Sequence, residues 1–97
     1  MTLRIDDFRW IDSLVDKIID KHSVYPEEVE SALLNDDPQP CFRREGNRYL
    51  ALAQVEEDGE YLFIVFALEP GNIARVITAR PMEADEKTKF RKIRRLA

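Results

Sequence analysis

Residues 73–96 read I-A-R-V-I-T-A-R-P-M-E-A-D-E-K-T-K-F-R-K-I-R-R-L. The first part, Ile73 to Arg80, is rich in β-branched residues and predicts a strand. Pro81 ends it, since proline has no N–H to offer a ladder. From there the composition becomes that of a helix, with six Lys/Arg between Lys87 and Arg95 and an apolar edge of Phe90, Ile93 and Leu96 at three-residue spacing. A strand carrying Arg75 and Arg80 therefore runs into a basic helix that has one narrow edge to pack. The sheet must lie upstream of that strand.

Upstream, the period is two from Cys41 onward. Cys41 to Glu45, Arg48 to Glu56 and Tyr61 to Glu69 read as three further strands. Gly46-Asn47, Asp58-Gly59 and Pro70-Gly71 separate the four, each supplying a turn conformation that other residues adopt poorly. The result is an antiparallel meander. Tyr61 to Leu68 is apolar on both faces, which places it centrally, with helices on one side and the C-terminal helix as the candidate cover for the other.

Before the meander the spacing changes again. Ile11, Leu14, Val15, Ile18, Ile19 and His22 fall on one side of a helix, with Asp12, Asp16, Lys17, Asp20 and Lys21 on the other. Pro26, followed by Glu27 and Glu28, opens a second helix, because proline needs no N–H in the first turn and acids suit the N-terminal dipole. Val29, Ala32 and Leu33 are its buried positions, and Asn35-Asp36-Asp37-Pro38 ends it. The short link predicts an antiparallel pair of helices. Thr2 to Arg9 reads as a short N-terminal strand. The fold class is thus α+β: two N-terminal helices, a small antiparallel meander sheet and a C-terminal helix, with a short strand ahead of them.

The 97 residues, 44% hydrophobic and 35% charged, suffice for one core and predict a single domain over 1–97. One cysteine, Cys41, and no basic-then-apolar leader suggest a reducing cytoplasm, and the longest apolar run, Leu62 to Leu68, is too short to span a bilayer. The net charge is -4, yet its distribution is uneven. Residues 73–97 hold eight Lys/Arg against three Asp/Glu, and the first 72 hold seven against sixteen. A basic end on an acidic body permits local contact with phosphate while weakening long-range attraction to a polyanion.

Other chemistries find little support. One histidine and one cysteine make no zinc set, there is no Gly-rich phosphate loop, and no Ser/His/Asp grouping stands in a motif, so no cofactor is expected. Glu27-Glu28 and Glu56-Glu57 read as a helix first turn and a solvated hairpin end. His22, in the last turn of the first helix, is open to two readings: a packed histidine favoured by the helix C-terminal dipole, or a general acid or base near neutral pH.

Taken together, W-x11-H-x-V-x2-E-E-V-E from Trp10 to Glu30, R-Y-L-A-L-A from Arg48, the apolar strand at Tyr61, and R-V-I-T-A-R-P-M-x3-E-x3-F from Arg75 to Phe90 resemble the BrnT-like toxins of bacterial type II toxin–antitoxin pairs. The resemblance runs from Phe8 onward. It implies a RelE-like fold and a metal-independent endoribonuclease acting on RNA, free or on the ribosome. It also implies a BrnA-like ribbon-helix-helix antitoxin as partner, through which alone the toxin would meet DNA.

Cutting RNA through its own 2′-hydroxyl needs a group to take that proton, cations to stabilise the phosphorane, and an acid for the departing 5′-oxygen. Arginine suits the second role, because its fork grips two phosphate oxygens and stays protonated. Arg80, Arg48, His22 and Lys21 are the catalytic candidates, and Arg75, Lys87, Lys89 and Arg91 the RNA-binding ones. Strict alternation sets Arg75 with Ile73, Ile77 and Ala79, and Arg80 with Ala74, Val76 and Thr78, on opposite faces unless a bulge intervenes. Arg80, beside the basic helix, is the preferred site residue, with an ion pair as the competing role for either arginine.

The chain departs from the family pattern at five positions. Ser23 and Ala53 stand where many relatives carry glycine, Tyr25 and Glu83 where they carry threonine, and Phe90 where they carry tyrosine. A phenyl ring donates no proton, so Phe90 implies lower activity, a substitute in Tyr49 or Tyr61, or a position used only for packing. The alternative reading is an attenuated relative that binds a partner, as a corepressor within an antitoxin complex.

Overall fold

A computed structural model describes residues 3–36, 38–56 and 59–96, without the side chains of Arg95 and Leu96. In chain order the elements are β1 (Asp7–Arg9), α1 (Asp12–His22), α2 (Pro26–Leu33), β2 (Cys41–Glu45), β3 (Arg48–Gln54), β4 (Tyr61–Glu69), β5 (Ile73–Pro81) and α3 (Ala84–Leu96). The five strands form one sheet in the order β1-β5-β4-β3-β2. β2 to β5 make the expected antiparallel meander. β1 is shorter than the sequence suggested and pairs parallel with β5, so the sheet is mixed. Thr2, Asp37, Glu57 and Asp58 of the expected strand and turns lie outside the described residues.

One sheet face carries Ala51, Ala53, Leu62, Ile64, Phe66, Ala74, Val76 and Ala79, packed with Ile18 of α1 and Val29, Ala32 and Leu33 of α2. Four of these strand residues are alanine and fully buried; small side chains leave room for a helix to lie close on the pleat. This explains the R-Y-L-A-L-A pattern. The two helices join through three residues, but α1 packs mainly on β5 and α2 on β3 and β4. The sheet, more than the expected mutual hairpin contact, positions them.

The two ends of the first family motif meet in space. Trp10 Nε1 donates to Glu30 Oε2 at 2.7 Å in a half-buried setting, a charge-assisted bond that fastens the chain after β1 onto α2. Ser23 ends α1 in the left-handed conformation, φ 54° and ψ 35°, with its own N–H and that of Val24 bonded to Ile19 and Ile18 carbonyls. Glycine reaches that backbone without a Cβ penalty, a physical reason for glycine at this position in relatives. Ser23→Gly should raise the unfolding free energy by about 0.5–1 kcal/mol; a urea midpoint at or below wild type would refute the strain.

The missing threonine caps are compensated in the same way at both helices. Glu28 Oε1 accepts from the Tyr25 N–H at 3.0 Å, and Glu86 Oε1 from the Glu83 N–H at 2.8 Å. Each glutamate is the third helical residue reaching back to the cap, one half of a capping box.

Helix α3 crosses the opposite sheet face, as the apolar character of β4 required. Phe90 is fully buried and stands edge-on to Tyr61, with ring centroids 6.1 Å apart. Ile93 is partly exposed.

Candidate functional site

The face under α3 gathers the arginines. Arg80 is level with Phe63 and Arg75 with Ala67 on β4, and Phe63, Val65 and Ala67 alternate onto one side of that strand. Both arginines therefore share a face. The cause is an irregularity in pairing: Val65 pairs with Thr78 but Phe66 with Val76, leaving Ile77 as an extra residue on β5. A bulge shifts the alternation by one residue and removes the opposition that strict period two predicts. The same register puts Arg48 and Arg43 of the β2–β3 hairpin on this face, level with Glu45 and Leu50 respectively. Arg9 joins them through its pairing with Arg75.

Their partners differ. Arg80 is half-buried and forks onto Glu86, Nη1 to Oε1 at 2.8 Å and Nη2 to Oε2 at 2.9 Å. Its guanidinium also lies 4.3 Å from the centroid of the Phe63 ring, and Nη1 donates to the Pro81 carbonyl at 3.0 Å. The hydrogen bonds that Arg80 donates to Glu86 raise the Arg80 pKa, and the same bonds lower that of Glu86 against the opposing effect of burial. Arg80 is thus a joint between β5 and the first turn of α3. Arg75 Nε donates to Glu69 Oε2 at 3.1 Å, and Arg43 Nη2 to Glu45 Oε2 at 3.1 Å. Arg48 is exposed and makes no ion pair or hydrogen bond through its side chain with the described residues.

Between α3 and the sheet lies a groove of about 480 Å³, floored by Leu50, Leu52 and Phe63 and rimmed by Arg43, Glu86 and Lys89. Cys41 also lines it, its thiol pKa pushed up by burial and partly offset by Arg94. Lys87 and Arg91, one turn apart, lie over the Tyr61 ring at 6.0 and 5.3 Å from its centroid. Tyr61 is therefore the tyrosine on the arginine face. Tyr49 lies on the core face, stacked on Phe66 at 5.5 Å with Arg44 above it.

Lys21 is exposed and His22 half-buried at the end of α1, whose Ile18 packs into the core on the other side of the sheet. No hydrogen bond or ion pair among the described residues joins either to Arg48, Arg75 or Arg80. Sequence reasoning missed Arg9, Arg43 and Glu69. Alternation in β1 marks Arg9 as facing away from Phe8, but nothing local says which strand it lies beside.

Among the described residues, no group of three or more His, Cys, Asp or Glu side chains is placed to hold a metal ion, and no helix is long and apolar enough to cross a membrane.

No protein-family model matches the chain, and no curated protein sequence matches it. Among solved structures, the Brucella abortus ribonuclease toxin BrnT is similar, with a TM-score of 0.63 and 15% sequence identity over 79% of this chain and 96% of that one. Identity this low speaks for the fold alone, and the α+β architecture of the chain is accordingly BrnT-like.

Proposed function

We propose that the chain is a ribonuclease toxin of the BrnT kind, cleaving RNA by attack of the 2′-hydroxyl on the adjacent phosphate. The observation that carries the reading is the placement of Arg48, Arg75 and Arg80 on one sheet face in a fold shared with a ribonuclease toxin. In the reaction the 2′-oxygen bonds to phosphorus as its proton leaves, the P–O5′ bond breaks, and the 5′-oxygen takes up a proton. Guanidinium groups stabilise the extra negative charge of the pentavalent state. Arg80 and Arg48 are assigned that role. His22 is assigned proton transfer and Lys21 added positive charge; both belong to a helix packed on the other sheet face, so the RNA must pass the edge or end of the sheet to meet them and Arg80 together. Arg75, Lys87, Lys89 and Arg91 hold the RNA, and a ribbon-helix-helix antitoxin silences the toxin in the cell.

One observation favours a second reading. Arg80 is already paired two-fold with Glu86, as suits a scaffold that binds an antitoxin without cutting RNA. Incubating the purified chain with RNA in EDTA separates the two. The ribonuclease reading expects cleavage that persists without metal and stops at a 2′-O-methylated nucleotide, together with growth arrest when the chain is induced alone in bacteria. Intact RNA and normal growth with soluble protein would leave the scaffold reading.

A further inference from the structure

The pairing register sets three arginines in one row across the sheet. Arg9 is level with Arg75, and Arg75 with Ala67. Tyr49 is level with Phe66, so Arg48, one residue earlier, stands level with Ala67, one residue later. The row thus runs Arg9, Arg75, Ala67, Arg48 over β1, β5, β4 and β3, all on the α3 face. With strands about 4.8 Å apart it spans about 14 Å. It lies four residues along β4 from the Arg80–Phe63 pair, with Leu50 and Arg43 of the groove under α3 in the row between. The methyl of Ala67 keeps its centre low.

Glu69 sets the charge of this row. Its two oxygens are held by two arginines, Oε1 by Arg9 Nη1 at 3.3 Å and Oε2 by Arg75 Nε at 3.1 Å. One carboxylate orients two guanidiniums and cancels one of their two charges, while Arg48 across Ala67 has no ionic partner among the described residues. The remaining charge of the row is positive, and its donors lie along a line rather than around a point. That shape suits successive phosphates of an extended single strand and not a compact anion.

We infer that Arg9, Arg75 and Arg48 form a track for the RNA backbone, in which Arg9 contacts phosphate directly and Glu69 is a positioning residue that moderates affinity. The inference rests on the ribonuclease reading above and adds where the substrate chain runs and a residue, Arg9, that the sequence did not mark. Because every donor in the row is a charged side chain directed at phosphate and none reads a base edge, the track holds RNA without sequence preference.

The test measures binding of the intact chain to a fluorescein-labelled single-stranded RNA, fully 2′-O-methylated so that it is not cut, by anisotropy over a salt series. Arg9→Ala is expected to weaken binding about fivefold and to flatten the slope of log affinity against log salt by about 0.7, the loss of one phosphate contact on a single strand. Arg9→Lys should recover most of the affinity, since a point charge still meets phosphate. Glu69→Gln is expected to tighten binding about threefold by freeing one charge in the row. Arg4→Ala removes an equal charge from the N-terminal segment, where Arg4 pairs with Asp6, and should leave binding within about twofold.

Equal losses in the Arg9 and Arg4 variants, or a Glu69→Gln variant that melts normally and binds no tighter, would overturn the track. A purely structural Arg9–Glu69–Arg75 cluster predicts the reverse for Glu69→Gln, a lower melting temperature and no gain in affinity. Wild type that binds RNA while the Arg9 and Glu69 variants are silent removes the track alone. Wild type that binds no RNA removes the ribonuclease reading with it.

Discussion

Phe90→Ala is expected to lower the unfolding free energy by about 3–5 kcal/mol, the range for a large aromatic deleted from a well-packed site. The ring is fully buried, alone in α3 among the described residues, and stands edge-on to Tyr61; its removal weakens the hold of the helix on the sheet as well as leaving a cavity. Since domains of this size hold only about 5–15 kcal/mol in total, the variant should be close to unfolding at growth temperature. Urea denaturation followed by far-UV circular dichroism measures it. A loss below about 1 kcal/mol would mean that α3 is held by its charges instead. Phe90→Tyr tests the departure from the family pattern. With the position closed to solvent, we expect no gain in RNA cleavage; a gain of tenfold or more would show that the missing phenol belongs to the chemistry.

Arg80→Ala is expected to reduce RNA cleavage by a factor of about 10²–10³, the usual effect of deleting one preorganised donor to a developing oxyanion. It should also cost about 2 kcal/mol of stability, because Glu86, half-buried itself, loses a two-pronged charged partner. Activity is read on the same RNA in EDTA, stability in urea, so that the two effects are measured apart. Arg80→Lys restores charge without the fork and should recover stability better than cleavage. Equal cleavage by wild type and Arg80→Ala would confine Arg80 to its joint with α3.

The joint also carries a pH signature. Glu86 has a lowered pKa in the folded chain, chiefly through its hydrogen bonds from Arg80. It therefore binds its proton more readily when unfolded, and its contribution to stability is complete at neutral pH. That contribution fades as the pH falls below the ordinary glutamate range and through the lowered folded value. Wild type should thus lose more stability than Arg80→Ala over the same acid titration.

Much of the architecture is written locally. The hydrophobic periods marked both helices and all four meander strands nearly to their ends, because each rests on one face being apolar and needs no knowledge of the partner. The apolar two-sided β4 also required a second cover, which α3 supplies. Even the family motifs gain physical reasons from chemistry that spacing alone encodes: Trp10 and Glu30 close on each other, and Arg80 and Glu86 do the same.

What the site contains was decided elsewhere. By period two alone Arg75 and Arg80 point apart; the unpaired Ile77 turns them to the same side. A bulge arises when two strands of unequal spacing must keep both of their core faces buried, a condition that belongs to the pair and is invisible in either strand. Likewise Arg9 is an ordinary exposed arginine until β1 lies parallel beside β5, a contact across more than sixty residues of chain. The sequence determined the elements and their charges, and long-range strand pairing determined which charges share a face.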